Sequence, residues 1–281
     1  MDKQYKRILT IQDISCVGQC SLTVALPILS ACGLETAILP SAILSTHTAG
    51  FKNFTCHDLS DEMPKIIKHW KDENIKFASV YTGYLGDTKQ IDLVKMIIDD
   101  LMIGGGVSII DPAMADNGSL YPAFDNNYVE AMRTLAFSAD IILPNITEAC
   151  FLTGYKYQDS YTSDYIDGLL ESLTKAGAKV IVLTGVSYDD DTTGVIVFEN
   201  GDKKYYRHKK ISKGCHGTGD VYASAFVGAL LNGVSIYQSA KIAADYTLHC
   251  IENTYGDKEH WYGVKFEPLL SELIKSIKEA N

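Results

Sequence analysis

The sequence predicts an α/β fold built on a mainly parallel central sheet with helices on both faces. Three observations predict it. Apolar strand-like runs alternate with helical patterns over the first 183 residues, an order typical of strands joined by crossover helices. The dipeptide Asn200-Gly201 then separates two further strand-like segments, and this pair strongly favours a two-residue hairpin turn. No linker, low-complexity tract or internal repeat interrupts the chain, so residues 1–281 are interpreted as one domain.

The individual elements follow from periodicity. Strands are short apolar runs, and helices carry apolar residues at three- and four-residue spacing. The predicted parallel strands are residues 8–11, 35–39, 77–81, 107–110, 141–143 and 180–183. The helices between them are residues 21–31, 61–73, 89–101, 127–136 and 164–176. The hairpin strands are 194–199 and 203–208, and three helices follow at 221–231, 236–253 and 267–280.

Composition and charge exclude several classes of function. The net charge is −10, which argues against a nucleic-acid surface, because such surfaces are usually basic. No apolar run is long enough to cross a membrane, and the charged start does not resemble a secretion signal. Seven scattered cysteines with no CxxC pair suit a reducing compartment and lack the ligand spacing of a zinc site. We therefore expect a cytoplasmic protein that binds neither nucleic acid nor membrane.

The segment Gly217-Thr218-Gly219-Asp220 precedes a long apolar helix pattern. Main-chain N–H groups and the positive dipole end at a helix start attract phosphate, and glycine lets an anion approach closely. A carboxylate at such a turn repels that anion, so Asp220 needs a functional reason to be there. One reason is to accept a proton from a substrate hydroxyl during phosphoryl transfer. The alternative is that Asp220 is a helix cap.

Polar or glycine-containing clusters follow five of the predicted strands. Ligands of open parallel sheets bind beyond the carboxyl ends of strands, so the five clusters predict one shared cleft. They are Gln12-Asp13, Thr82-Gly83-Tyr84, Asp111-Pro112, Pro144-Asn145 and Thr184-Gly185.

In order along the chain, seven segments resemble the pyridoxal kinase branch of the ribokinase superfamily. They are Ile11-Gln12-Asp13, Leu44-Ser45-Thr46-His47-Thr48, Thr82-Gly83-Tyr84-Leu85-Gly86, Asp111-Pro112-Ala113-Met114, Pro144-Asn145-Ile146-Thr147-Glu148, Gly217-Thr218-Gly219-Asp220 and Trp261-Tyr262-Gly263-Val264. The resemblance implies a ribokinase-like three-layer sandwich. It also implies ATP-dependent phosphorylation of the 5′-hydroxymethyl group of pyridoxal, pyridoxine or pyridoxamine.

The resemblance assigns roles to single residues. Asp220 is the expected base, and Gly217, Thr218 and Gly219 form the expected anion hole, with Thr218 also on the ATP side. The vitamer would be bound by Asp13, His47, Thr48 and Tyr84, with Tyr84 stacking on the flat ring. His47 could instead be a hydrogen-bonded loop histidine.

The expected nucleotide side has two groups of residues. Asn145, Glu148 and Asp111 are expected near Mg²⁺ and the triphosphate, and Asn145 or Thr147 could also cap a helix there. The remaining ATP-side residues are Asp116 and Tyr121 in a lid, Thr184 and Gly185 in a loop, and Ile211 against adenine. The family also suggests a homodimer and, as a possibility, a monovalent cation.

One departure from the family pattern bears on the substrate. Asp13 stands where the family usually has Ser, and an ionised Asp only accepts hydrogen bonds, so it would favour a protonated ring nitrogen or amine. Related hydroxymethylpyrimidine kinases usually have Cys where this chain has Asp220, but either that activity or dual specificity fits the superfamily. A catalytically silent protein that binds B6 or ATP is the alternative from another class. Cys215 is interpreted as a packing residue rather than a nucleophile.

Overall fold

The computed structural model describes residues 6–211 and 215–281. Its strands are β1 (Arg7–Ser15), β2 (Glu35–Leu44), β3 (Cys56–Asp58), β4 (Phe77–Thr82), β5 (Met102–Ile110), β6 (Ala115–Asp116), β7 (Ser119–Leu120), β8 (Ile141–Ile142), β9 (Val180–Val186), β10 (Thr192–Glu199) and β11 (Asp202–Lys209). Within the described residues, β6 and β7 form a small hairpin, and the other strands form one sheet in the order β11-β10-β9-β8-β5-β4-β1-β2-β3.

The sheet is mainly parallel, as the sequence predicts. β2, β1, β4, β5, β8 and β9 pair in parallel, whereas β3 and the β10–β11 hairpin add antiparallel strands at the two edges. The hairpin turns at Asn200 (φ 52°) and Gly201 (φ 82°), two positive values that define a type I′ turn. The predicted hairpin in the second half of the chain is therefore confirmed.

Helices cover both faces of the sheet. They are α1 (Leu22–Ala31), α2 (Met63–Asp72), α3 (Thr88–Leu101), α4 (Asn126–Ser138), α5 (Ile146–Thr153), α6 (Ser163–Lys175), α7 (Thr218–Leu231), α8 (Ile236–Thr254) and α9 (Leu270–Glu279), with a short 3₁₀ turn at Glu267–Leu269 before α9. No helix in the described parts of the chain is both long and apolar enough to span a membrane.

Two apolar clusters lie on opposite faces of the sheet. One contains residues of α2 to α6, and the other contains residues of α1, α7, α8 and α9. Neighbouring residues of one strand alternate between them, as Ile181 and Val182 of β9 do, because successive strand side chains point to opposite faces. The result is the expected three-layer α/β arrangement.

The structure corrects several element boundaries. β2 continues five residues beyond the predicted end at residue 39 and pairs there with β3, a strand that the sequence pattern did not indicate. β5 starts at Met102 instead of residue 107, because it pairs with Phe77 before an irregular stretch that contains Gly104 to Gly106. α7 starts at Thr218 instead of residue 221, so the Gly-Thr-Gly-Asp segment forms the first turn of the helix.

Candidate active site

The clusters predicted to form one cleft lie side by side at the carboxyl edge of the sheet. Main-chain hydrogen bonds connect the residues just beyond neighbouring strands: Gly83 N donates to Ile11 O (3.2 Å), and Asp111 N donates to Thr82 O (3.1 Å). Farther along the edge, Thr184 N donates to Pro144 O at 2.9 Å. Strand register therefore places the five predicted clusters in one row.

The N-terminus of α7 faces this row. Its N-cap, Gly217, has φ 77° and makes no side-chain cap hydrogen bond. A Cβ atom at Gly217 would lie 1.7 Å from the Gln19 carbonyl oxygen, so both the backbone angle and the close approach require glycine. Because the first N–H groups of a helix lack intrahelical acceptors, the turn through Thr218 and Gly219 can bind an anion.

Asp220 lies in the first turn of α7. Burial raises the pKa of its carboxyl to about 7, the nearby backbone N–H of Ser21 opposes that rise, and the Asp13 carboxylate adds to it. A carboxylate with a pKa near neutrality is a stronger proton acceptor than an ordinary Asp, which suits a general base.

Asp13 is buried near the end of β1, close enough to Asp220 for its charge to raise the pKa of that carboxyl. Its two oxygens accept hydrogen bonds from Ser21 Oγ (2.5 Å) and Ser15 Oγ (3.1 Å). Burial raises the pKa of Asp13, and these two hydrogen bonds oppose the rise. Tyr84 is half-buried nearby, and burial together with the Asp13 charge raises its pKa to about 12, so its hydroxyl stays protonated.

His47 is buried, and both of its ring nitrogens form hydrogen bonds. Nδ1 accepts a hydrogen bond from Ala49 N (3.2 Å), so Nε2 carries the proton and donates to Tyr262 O (2.6 Å). This is the arrangement of a hydrogen-bonded loop histidine, and direct contact of His47 with a vitamer stays a prediction. Thr48 is exposed in the same loop, where its expected contact also stays a prediction.

Glu148 and Asn145 form a capping box at the start of α5. Asn145 Oδ1 accepts from Glu148 N, and Glu148 Oε2 accepts from Asn145 N, each at 2.9 Å. The second carboxylate oxygen of Glu148 accepts from Met114 N at 3.1 Å. The helix-cap interpretation of Asn145 is therefore confirmed, and it leaves room for a further role near a metal.

The acidic side of the cleft concentrates negative charge. Burial raises the pKa of Asp111 well above its usual range, and the charges of Glu148 and then Asp220 add to the effect. Burial also raises the pKa of Glu148 to about 8, against the effect of its main-chain hydrogen bonds. Within residues 6–211 and 215–281, no Lys or Arg forms an ion pair with Asp13, Asp111, Glu148 or Asp220.

The predicted lid forms the β6–β7 hairpin. Gly118 N donates to Thr147 Oγ1 (3.1 Å), which attaches the hairpin tip to α5. Burial raises the pKa of Tyr121 above its usual range, and the charges of Glu148, Asp111, Asp116 and Asp220 add to the rise, so Tyr121 lies close to the acidic cluster. The Asp116 carboxylate is exposed and accepts a hydrogen bond from Asn117 N.

The remaining nucleotide-side residues lie farther along the edge. Thr184 is half-buried and forms an isolated bridge with Asn145, and Gly185 is exposed with φ 72°. Ile211 is half-buried after β11, next to residues 212–214, which lie outside the described chain. The contacts predicted for these residues with ATP stay predictions.

Sequence reasoning missed Ser21 and Ser15. Ser21 precedes α1 and reads as an ordinary N-cap, but its side chain makes no cap hydrogen bond and binds Asp13 instead. The alternation of Asp13 and Ser15 on β1 was the available signal for Ser15, because residues two apart share one face of a strand. For Ser21, eight residues away, the sequence offers no comparable signal.

Fold and site together define a phosphotransferase of the ribokinase superfamily, in its pyridoxal kinase branch. The chain belongs to the phosphomethylpyrimidine kinase family, whose model matches residues 28–264. It is therefore a kinase.

Individual relatives include both kinds of kinase. A Bacteroides thetaiotaomicron structure with pyridoxal, assigned to a phosphomethylpyrimidine kinase, is 34% identical, covers 96% of both chains and superposes with a TM-score of 0.89. The pyridoxal kinase of Lactobacillus plantarum is 30% identical, with 98% of both chains covered and a TM-score of 0.90. The hydroxymethylpyrimidine/phosphomethylpyrimidine kinase of Bacillus subtilis is 28% identical over 79% of this chain and 78% of its own.

Proposed function

We propose that the protein transfers the γ-phosphoryl group of ATP to the 5′-hydroxymethyl group of vitamin B6 vitamers. The observation that carries this proposal is the position of Asp220. Its carboxylate, with a pKa raised to about 7, shares the start of α7 with the Gly217–Gly219 turn and faces the buried Asp13. A proton acceptor, an anion site and an acceptor-binding group are thus within one cleft.

The chain's own residues account for the chemistry of the acceptor alcohol. A primary alcohol is too weak an acid for a carboxylate to deprotonate in the ground state, but its oxygen becomes acidic as it bonds to phosphorus in a loose transition state. Asp220 accepts that proton late in the transfer. The N–H groups of Thr218 and Gly219 stabilise the charge on the transferring phosphoryl group, as an oxyanion hole does.

The pocket beside Asp220 suits a flat, basic heterocycle. Tyr84 offers a half-buried aromatic face next to the Asp13 carboxylate, which accepts but cannot donate when ionised. A pyridinium N–H or a protonated amine satisfies that acceptor. The pyridoxal in the structure of the Bacteroides relative supports the same substrate class.

The acidic side of the cleft fits a hydrated Mg²⁺ ion. In the described parts of the chain, no three His, Cys, Asp or Glu side chains are grouped to hold a metal directly. Both Glu148 oxygens already accept main-chain hydrogen bonds, so Glu148 would act through water, and Asp111 would be the second carboxylate at the ion. When bound, Mg²⁺ neutralises charge on the triphosphate.

Hydroxymethylpyrimidine is the second candidate acceptor. The matching family and the Bacillus relative favour it. Asp220 favours the vitamer, since related hydroxymethylpyrimidine kinases usually have Cys at this position.

The deciding experiment is an ADP-release assay with a panel of acceptors. The panel contains pyridoxal, pyridoxamine, pyridoxine, hydroxymethylpyrimidine and ribose, each with ATP and Mg²⁺. We expect the largest kcat/KM with a B6 vitamer and no release above background with ribose. A larger kcat/KM with hydroxymethylpyrimidine would transfer the proposal to that alcohol, and no acceptor-dependent release would indicate a silent binding protein.

The same assay tests Asp13. Asp13→Ser restores a group that can donate, so the ratio of pyridoxamine to pyridoxal turnover should fall. An unchanged ratio would show that the Asp13 charge does not select the vitamer.

A further inference from the structure

Ser21 has an unusual backbone for a residue with a side chain. It lies at φ 54° and ψ −131°, outside the regions that L-residues normally occupy, and it is buried. Strained residues of this kind persist only where the surrounding structure enforces them, and they cluster at functional sites. Glycine would adopt these angles without strain.

The side chain of Ser21 contacts Asp13. Ser21 Oγ donates to Asp13 Oδ1 at 2.5 Å, a short hydrogen bond typical of a charged acceptor. The Ser21 carbonyl begins α1 by accepting from Val24 N (3.0 Å) and Ala25 N (2.9 Å). The Ser21 main chain also forms an isolated antiparallel bridge with Ile14, and its amide lies near the Asp220 carboxylate, where it opposes the rise in the pKa of Asp220.

The neighbouring segment is held on two sides. The Gln19 carbonyl oxygen lies against Gly217, so close that a Cβ atom at Gly217 would clash with it. The Gln19 side chain lies equally close to Gly263, where a Cβ atom would also clash. Gln19 Nε2 also donates to Glu267 Oε1 at 2.7 Å. The approach of the chain to Ser21 is therefore fixed by the anion-binding turn of α7 and by the segment before α9.

We propose that Ser21 is a positioning residue whose hydroxyl holds the acceptor-binding carboxylate of Asp13 in place beside the catalytic carboxylate of Asp220. The strained backbone lets the Ser21 hydroxyl reach Asp13 while the Ser21 carbonyl begins α1. The assignment of Asp13 and Asp220 to acceptor and base rests on the proposed function, whereas the contacts themselves do not.

The hydroxyl has a defined electrostatic consequence. Its hydrogen bond stabilises ionised Asp13, so its removal raises the pKa of Asp13 further and protonates the acceptor-binding group at a higher pH. Other titratable groups face the two carboxylates and are unchanged in Ser21 variants. They are His47, Cys56, Tyr84 and Cys20 near Asp13, and Cys20, Tyr81, Asp111 and Tyr121 near Asp220.

Two variants separate the hydroxyl from the backbone. Ser21→Ala and Ser21→Gly both remove Oγ, but only glycine relieves the strain, so the glycine variant should unfold at a higher temperature than the alanine variant. Both should lose about 10-fold or more in kcat/KM for the acceptor, because a hydrogen bond to a charged group is lost. In both, the acidic limb of the pH profile of 1/KM for the acceptor, which reports on the acceptor-binding Asp13 whereas kcat reports on Asp220, should shift to higher pH by the same amount. KM for ATP should stay within about twofold of wild type.

A purely structural residue would behave differently. Activity would then follow stability, and Ser21→Gly would retain wild-type kcat/KM and its pH profile, which would overturn the proposal. Ser235→Gly is the matched control, because Ser235 is an N-cap that accepts from Gln238 N in the ordinary way at the start of α8. It should leave both the activity and the pH profile unchanged.

A second cycle tests whether the hydroxyl acts through Asp13. In an Asp13→Asn background position 13 no longer titrates, so adding Ser21→Gly should leave the acidic limb in place. An equal shift in both backgrounds would show that Ser21 acts elsewhere and would overturn the proposal.

A substrate-free measurement distinguishes this proposal from the proposed function. If no acceptor is phosphorylated, the proposed function fails, but the pH dependence of the free energy of unfolding still tests the Ser21–Asp13 hydrogen bond. Ser21→Gly should lower the free energy of unfolding more at about pH 8 than at about pH 3, because the lost hydrogen bond stabilises the charged form of Asp13. A stability difference independent of pH would contradict the Ser21–Asp13 contact.

Discussion

The helices α5 and α7 begin with the same spacing but have opposite chemistry. Each has an N-cap residue followed three positions later by an acid, Asn145 and Glu148 in α5 and Gly217 and Asp220 in α7. In α5 the two residues hydrogen-bond each other's main-chain N–H groups at 2.9 Å. In α7 the N-cap has no side chain, and its acid faces Asp13 and Ser21 instead.

The difference shows what makes a helix start available to a ligand. A capping box satisfies the first N–H groups internally, so the start of α5 is closed by its own side chains. Glycine at the α7 N-cap leaves these donors for an anion and releases the acid for proton transfer. The same acid at the third position thus stabilises one helix and equips the other for catalysis.

The largest expected effect comes from neutralising the acid of α7. Asp220→Asn keeps the shape of the side chain but cannot accept the alcohol proton, so kcat should fall at least about 10²-fold with ATP affinity much less changed. Steady-state kinetics of ADP release would measure it. Asp164→Asn, which changes an acid in the first turn of α6, is the control and should retain full activity. Near-normal kcat in Asp220→Asn would remove Asp220 from the mechanism.

The next effect tests whether α7 must start with glycine. Gly217→Ala forces a Cβ to within 1.7 Å of the Gln19 oxygen at φ 77°, so the anion-binding turn has to shift. We expect about a 10-fold or larger loss of kcat/KM for ATP together with about 1–3 kcal/mol of destabilisation.

Gly154→Ala is the matched control for that variant. Gly154 ends α5 at φ 75°, and an added Cβ there meets nothing within 4 Å. It should lose about 1–2 kcal/mol from the left-handed backbone alone and keep its activity. If both variants lose the same activity, the contact with Gln19 does not matter.

A smaller effect is expected from opening the capping box of α5. Glu148→Gln replaces an oxygen that accepts a main-chain N–H with an NH₂ group, so one buried donor loses its acceptor. Stability should fall by about 1–3 kcal/mol in chemical denaturation, and half-maximal activity should need more Mg²⁺. Glu130→Gln, at an exposed ion pair with Arg133, should change neither quantity. An unaltered Mg²⁺ requirement would restrict Glu148 to its capping role.

The sequence predicted much of this molecule because local patterns determine much of it. Strand runs, helix periods and the Asn200-Gly201 turn predicted the mainly parallel sheet and its hairpin, and the strand ends predicted which clusters meet. Features that depend on distant partners were missed. β3 is an exposed three-residue strand without a hydrophobic pattern. Ser21 looks like any N-cap until the fold brings Asp13 and the start of α7 to it.

The smallest expected effect separates the stability of α7 from its chemistry. The pKa of Asp220 is raised from 3.8 to about 7 by burial, so ionising it costs the folded state stability as pH rises through this window. Asp220→Asn carries no such charge, and it should therefore unfold about 2 °C or more above wild type at about pH 8. The difference should disappear at about pH 3, below the pKa of Asp220 in the unfolded chain, where position 220 is neutral in both proteins. Calorimetry at the two pH values would measure it, with Asp164→Asn expected to show no comparable gain at the higher pH. Equal unfolding temperatures for wild type and Asp220→Asn at both pH values would mean that ionising Asp220 costs the folded state no stability. The start of α7 would then resemble the closed start of α5.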